Sequence, residues 1–135
     1  MLNALLSPDS RVLSNVAGAL SLSGIALGIN IFFFNGSFVN HALRTKPPSN
    51  PEDQEIYNAL CQYIGVREFI IAGANIVAWL SGQPKAQGVT VLLWAGLALG
   101  DGIVQYKLNG TNPLLVRPLW PVLGGVGSVL MGWFE

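Results

Sequence analysis

Four apolar stretches, each about as long as a bilayer crossing, leave this chain few folds other than a membrane bundle. They run from about Val12 to Phe34, Ile56 to Leu80, Val89 to Tyr106 and Leu114 to Phe134. A hydrocarbon core about 30 Å thick takes roughly 20 apolar residues in a helix, and an open chain has no other way to satisfy its backbone polar groups there. The expected fold is all-α, a four-transmembrane-helix bundle, with residues 1–135 forming one integral membrane domain. The first stretch is too long for the apolar part of a signal peptide, and FFFNGSFVN offers no small-residue cleavage site. It reads as a retained span.

Composition agrees. Apolar residues make up 51 % of the chain and charged residues 10 %, against about 25 % charged in a soluble domain. The net charge is zero, which gives no electrostatic basis for binding nucleic acid. Sixteen glycines and four tryptophans suit helices that approach closely and aromatic rings that sit at interfaces. A lone cysteine, Cys61, and a lone histidine, His41, leave no internal disulfide and no zinc set. No cofactor motif is present, so neither cofactor nor metal is expected.

The connections are short. Asn35 to Glu55 is the longest and carries Arg44, Lys46, three prolines and the acidic residues Glu52, Asp53 and Glu55. Ser81 to Gly88 and Lys107 to Pro113 read as turns full of helix breakers. Four crossings put the first and third loops on one side, with Arg44, Lys46, Lys107 and Arg117, and leave Arg11 and Lys85 on the other. The excess of positive charge places loops one and three in the cytosol, which would leave the sequon at Asn109-Gly110-Thr111 unglycosylated. The endoplasmic reticulum is the expected membrane.

Inside the spans, charge is rare and costly. Arg67 and Glu68 sit side by side near the middle of the second stretch, and Asp101 lies in the third. A charged side chain at bilayer depth costs about 2.5–3.5 kcal/mol on insertion scales and marks a candidate site. At about 1.5 Å per residue, Tyr63 is about 10 Å deep, Arg67 about 16 Å and Asp101 about 8 Å, all measured from the side of loops one and three. Asn30, Gln105 and Arg117 fall in the same half, Asn75 in the other. Tyr63 with Arg67, and Asp101 with Gln105, are spaced i, i+4 and share faces, while Cys61, Glu68 and Asn75 form a stripe. The expectation is a polar cavity opening towards loops one and three, with Gly65, Gly73, Gly96, Gly100 and Gly102 leaving room, and with Gly124, Gly125, Gly127 and Gly132 as helix-contact positions. The same three charges could equally form a structural ion-pair network that locks the bundle.

The string GVREFIIAGANIVAWL, followed by QPKAQGVTVLLWAGLALGDGIV, resembles a family of small four-helix membrane proteins known as domain of unknown function 4267. The matching positions are Gly65, Arg67, Glu68, Asp101 and Gly102, and the similarity extends over about Leu13 to Phe134. Fungal members resemble natural-product pathway proteins, some assigned as epoxide hydrolases or cyclases. The resemblance implies an enzyme that opens an epoxide of a lipophilic polyketide or terpenoid intermediate, by hydrolysis or by intramolecular cyclisation.

Two carboxylates bridged by an arginine can do such chemistry. One carboxyl donates a proton to the epoxide oxygen while the other accepts one from the nucleophile. Glu68 is the expected base and Asp101 the acid, with the roles reversible, Arg67 holding both, and Tyr63, Gln105 or Asn30 positioning water. The expected partners are a lipophilic small molecule and the lipid bilayer, with a homodimer as an option. Two other readings stay open: a non-catalytic small transporter or assembly partner, and a double-bond isomerase.

Overall fold

The computed structural model describes residues 7–34, 46–110 and 119–133, and among them all the regular secondary structure is helical. Helix α1 spans Arg11–Phe33, α2 Pro51–Leu80, α3 Pro84–Asn109 and α4 Leu119–Leu130. Three of these, α1, α2 and α3, are long and apolar enough to cross a membrane, and α4 is a shorter apolar helix. His41, Arg44, Thr111, Arg117 and the first residues of the expected fourth span, together with Phe134, lie outside the described residues.

Local signals set the ends. The Ser10 hydroxyl accepts from the Leu13 N–H at 3.4 Å to cap α1, and the Asn50 side chain accepts from the Glu52 N–H at 3.4 Å to cap α2. Pro51 stands in the first turn of α2 with Glu52 and Asp53. Proline there gives up an N–H that has no helical partner, and the two acids complement the positive end of the helix dipole. The loop expected to reach Glu55 therefore ends at Asn50. The second loop is shorter than expected as well. The turn is only Ser81–Gln83, and α3 begins at Pro84 instead of Val89, again because proline is at home in a first helical turn. At its other end α3 runs through Asn109 to Gly110, whose φ of 66° provides the left-handed cap.

The helices pack as two tight pairs. In α1 the buried positions are Ala17, Gly18, Ser21, Gly24, Gly28 and Ile31, and in α2 they are Cys61, Gly65, Glu68, Ala72, Asn75 and Ala78. Both stripes repeat every three or four residues, and both consist largely of small residues. At their crossing the backbones touch: a Cβ at Gly28 would lie 2.8 Å from the Gly65 carbonyl oxygen, and one at Gly65 would lie 2.8 Å from the Gly28 carbonyl oxygen. Helices α3 and α4 meet in the same way at Gly88 and Gly127, where an added Cβ on either would come within 3.0 Å of the other's carbonyl oxygen. Lipid tails are as apolar as leucine, so close van der Waals contact between bare backbones is what draws such helices together.

Several glycines behave otherwise than their positions suggested. Gly124 and Gly125 face open space, and Gly132, at φ 78°, belongs to the turn after α4. Gly127 does make a helix contact. Gly65 lies in the α1–α2 crossing and leaves no room for a site, whereas Gly96 and Gly100 do face open space.

The two pairs join through a core of Ala17, Val91, Ala95, Leu123 and Leu130, with Trp94 packed against it. A buried polar ladder crosses the same region. The Asn75 amide donates to Ser21 Oγ at 2.6 Å and to the Ala17 carbonyl at 3.3 Å, and the Thr90 hydroxyl donates to Asn75 Oδ1 at 3.0 Å. One turn further, Gln87 Nε2 donates to the Ser14 carbonyl at 2.9 Å, and the Ser14 hydroxyl donates back to Gln87 Oε1 at 2.6 Å. These bonds tie α1, α2 and α3 together through interhelical hydrogen bonds.

Candidate functional site

The ladder fixes the register that brings the charges together. Helices α2 and α3 run antiparallel, and Thr90 meets Asn75. Eleven residues further along α3 is Asp101, level with Ile64 eleven residues back along α2. Arg67 is three residues nearer the turn, an offset of about 4.5 Å. Helical side chains lean towards the N-terminus of their own helix, so the long Arg67 side chain closes that gap.

Arg67 Nη1 donates to Asp101 Oδ1 at 3.0 Å, and Nη2 donates to Asp101 Oδ2 at 2.8 Å. This is a two-pronged contact of the kind only a guanidinium makes. Nη2 also donates to Glu68 Oε1 at 2.9 Å, so one nitrogen serves both carboxylates. The second oxygen of Glu68 accepts from Trp94 Nε1 at 3.1 Å. Side-chain exposure is 8 % for Glu68 but 23 % for Arg67 and 22 % for Asp101, so the triad has a covered side and an open one. Arg67 Nε is buried and has no hydrogen-bond partner among the described residues. With both acids ionised the cluster carries net charge −1, and with one proton taken up it is neutral.

On its open side Arg67 borders a cavity of about 270 Å³, lined also by Tyr63, Val66, Ile70, Ile71 and Leu97. Tyr63 is 70 % exposed and Ile70 62 %, so this cavity opens on the outer face of α2 and α3. Arg117, the expected contribution of the fourth helix, lies outside the described residues, and among those residues the expected polar cavity does not form. The triad comes from α2 and α3, and the cavity walls are mostly aliphatic. Asn30 is exposed on α1, because it lies about 200° around the helix from Gly28 on the buried stripe. Tyr63 flanks the cavity one turn from Arg67, as its spacing suggested. Gln105 is buried one turn beyond Asp101, on the α3 stripe that includes Val91, Ala95 and Ala98. Along their helices Arg67 and Glu68 stand near the middle of α2, and Asp101 stands in the second half of α3.

Sequence reasoning missed Trp94. Its ring reaches Glu68 because Gly24 on α1 leaves a notch: a Cβ there would come within 3.0 Å of the indole and 2.9 Å of Ala72 Cβ. A tryptophan near the middle of a span, seven residues before Asp101, is a signal in hindsight, since a buried indole N–H needs an acceptor at that depth.

Fold and cluster together define an all-helical bundle with three membrane-length helices and an arginine–dicarboxylate cluster within the apolar span. Residues 21–134 match the family described as Domain of unknown function (DUF4267), and the chain belongs to that family. No curated protein and no solved structure matches it.

Proposed function

We propose that this protein is a membrane enzyme, resident in the endoplasmic reticulum, that opens an epoxide of a lipophilic polyketide or terpenoid intermediate by acid–base catalysis. The observation that carries this reading is Arg67, which bridges Glu68 and Asp101 at mid-span and faces an aliphatic cavity. Asp101 is the partly exposed acid and serves as proton donor to the epoxide oxygen. Glu68, fixed by Trp94 and Arg67, serves as the base. Their roles can exchange. Arg67 holds the two acids together and balances the charge that develops as the C–O bond breaks.

A second reading has its own support. All four carboxylate oxygens are engaged by Arg67 or Trp94, and α2 packs on α3 less closely than on α1. A pure clamp between the two helix pairs, in a transporter subunit or assembly partner, would make the same hydrogen bonds. The test uses purified protein in lipid nanodiscs with long-chain epoxides. As an enzyme, wild type consumes the epoxide, while Asp101→Asn and Arg67→Lys stay folded and lose turnover. As a clamp, wild type consumes none and both variants lose thermal stability.

A further inference from the structure

Helices α1 and α3 both run antiparallel to α2, as the bonds of Asn75 and Trp79 fix, so the two begin at the same face of the bundle. Between their first turns lies a cavity of about 370 Å³, lined by Asp9, Ser10, Arg11 and Ser14 on one side and by Gly82 and Pro84 on the other. The ends of the spans set its depth. Helix α1 starts at Arg11, α2 stops at Leu80 and α3 starts at Pro84. One turn inward, Trp79 Nε1 donates to Asn15 Oδ1 at 3.0 Å, and a tryptophan at the end of a span marks the membrane–water interface. The cavity lies at the level of the lipid headgroups.

Three of its side chains suit a ligand that carries both charges. Asp9 and Arg11 both border the cavity, yet neither forms an ion pair among the described residues. Ser10 is 6 % exposed. Its oxygen accepts from the Leu13 N–H, and its proton goes to no acceptor among the described residues. A buried donor without an acceptor is costly, and this one stands on the cavity wall. Ser14, on the same wall, is held in place by two bonds with Gln87.

We infer that this cavity holds the headgroup of a phospholipid with a phosphate and a primary amine, phosphatidylethanolamine. The Arg11 guanidinium donates to the phosphate, whose oxygens match its planar fork. The Ser10 hydroxyl gives its unused proton to the same phosphate. The lipid's ammonium donates to the Asp9 carboxylate. A choline headgroup has no N–H for that carboxylate, and a glycerol headgroup sets a net negative ligand beside it. The charges of Arg11 and Asp9 cancel, which matches a ligand of zero net charge. The cavity volume falls within the roughly 300–1,000 Å³ of small-molecule sites.

Native mass spectrometry tests this in detergent micelles that hold equimolar dioleoyl phosphatidylethanolamine, phosphatidylcholine and phosphatidylglycerol. Wild type should retain phosphatidylethanolamine in about threefold preference over either other lipid, the scale of a partly exposed charge pair. Asp9→Asn should erase the preference over phosphatidylcholine. Arg11→Gln should lower retention of all three lipids about threefold. Ser10→Asp keeps an acceptor for the Leu13 N–H but turns the donor into an anion, so it should lose the lipid at unchanged Tm. Lys107→Gln, at the other end of α3, should retain lipid as wild type does. Water-soluble glycerophosphoethanolamine, at equal concentration, should not displace the lipid. Equal retention of the three lipids by wild type, preference for phosphatidylglycerol, displacement by the soluble headgroup, or wild-type retention in both Arg11→Gln and Ser10→Asp overturns the inference. Where either variant unfolds, the wild-type ranking together with Asp9→Asn decides.

Discussion

Replacing Arg67 by methionine removes the centre of the triad while keeping an unbranched apolar side chain in its place. Three charge-assisted contacts disappear, at 2.8, 2.9 and 3.0 Å. Glu68, 6 % exposed, keeps Trp94, while Asp101 loses both prongs of its arginine contact. Breaking a buried ion pair by removing one partner costs about 3–5 kcal/mol, chiefly because a charge is left buried and unpaired. The partial exposure of Asp101 moves the expected loss to the lower end, about 3 kcal/mol. The triple variant Arg67→Met/Glu68→Gln/Asp101→Asn removes the stranded charges too, and should return to within about 1 kcal/mol of wild type, since neutral replacement of a whole buried network is often close to neutral in stability. Reversible unfolding in mixed dodecylmaltoside and SDS micelles, followed by helical circular dichroism, measures both. A triple variant as unstable as Arg67→Met would refute the reasoning, because the loss would then come from the packing of the arginine stem. So would an Arg67→Met variant as stable as wild type, because the guanidinium would then not be holding the acids.

The same unfolding assay checks three further expectations. Gly28→Ala should cost about 1–3 kcal/mol by overpacking, since the new methyl would meet backbone of Gly65 and Phe69 at 2.8 and 2.9 Å, whereas Gly96→Ala, in open space, should cost nothing. Asn75→Leu, which removes the bonds to Ser21, Ala17 and Thr90, should cost about 0.6–1.7 kcal/mol, the range from average to strongest for interhelical hydrogen bonds in a membrane. Gly110→Ala forces a Cβ into the left-handed cap at φ 66° and should cost about 1–2 kcal/mol, visible also as faster amide exchange in the last turn of α3.

Much of this was legible because polar and small residues carry the information that hydrophobicity carries in a soluble helix. The spacing of Cys61, Glu68 and Asn75 marks the buried stripe of α2, and all three are buried. Apolar periodicity could not have marked it, because the lipid-facing side is as apolar as the packed side: Val66, Ile70 and Val77 are exposed while the buried positions between them are mostly small. The convergence of Arg67, Glu68 and Asp101 followed from depth counting in antiparallel helices. Asn30 failed because depth alone says nothing of azimuth. Gln87 was missed for a different reason. The prolines and glycines of Ser81–Gly88 suggested a turn, yet Pro84 starts a helix, and Gln87, one turn in, is fully buried against Ser14. Placing it in a loop hid the whole polar ladder. The glycines were ambiguous in the same way, since Gly124 and Gly127 look alike in sequence and only the partner helix decides which is a contact.

The bundle thus holds two sets of buried polar groups, and the contrast between them separates scaffold from site. In the ladder, Ser21, Asn75 and Gln87 are each 1 % exposed or less and bond to partners on other helices. Every such bond joins neutral groups, which is what packing specificity requires and no more. The triad uses full charges where neutral amides would have joined α2 to α3 at less cost, as the ladder itself demonstrates one layer away. Its charged members are also not sealed, since Arg67 and Asp101 keep more than a fifth of their side-chain surface exposed. Arg67 turns its exposed side to an aliphatic cavity, from which a clamp gains nothing. A site that must present an acid to a lipophilic substrate requires such exposure. On that ground we read the charges of α2 and α3 as a proposed site, and the stability difference between Arg67→Met and the neutral triple variant measures how much fastening they contribute.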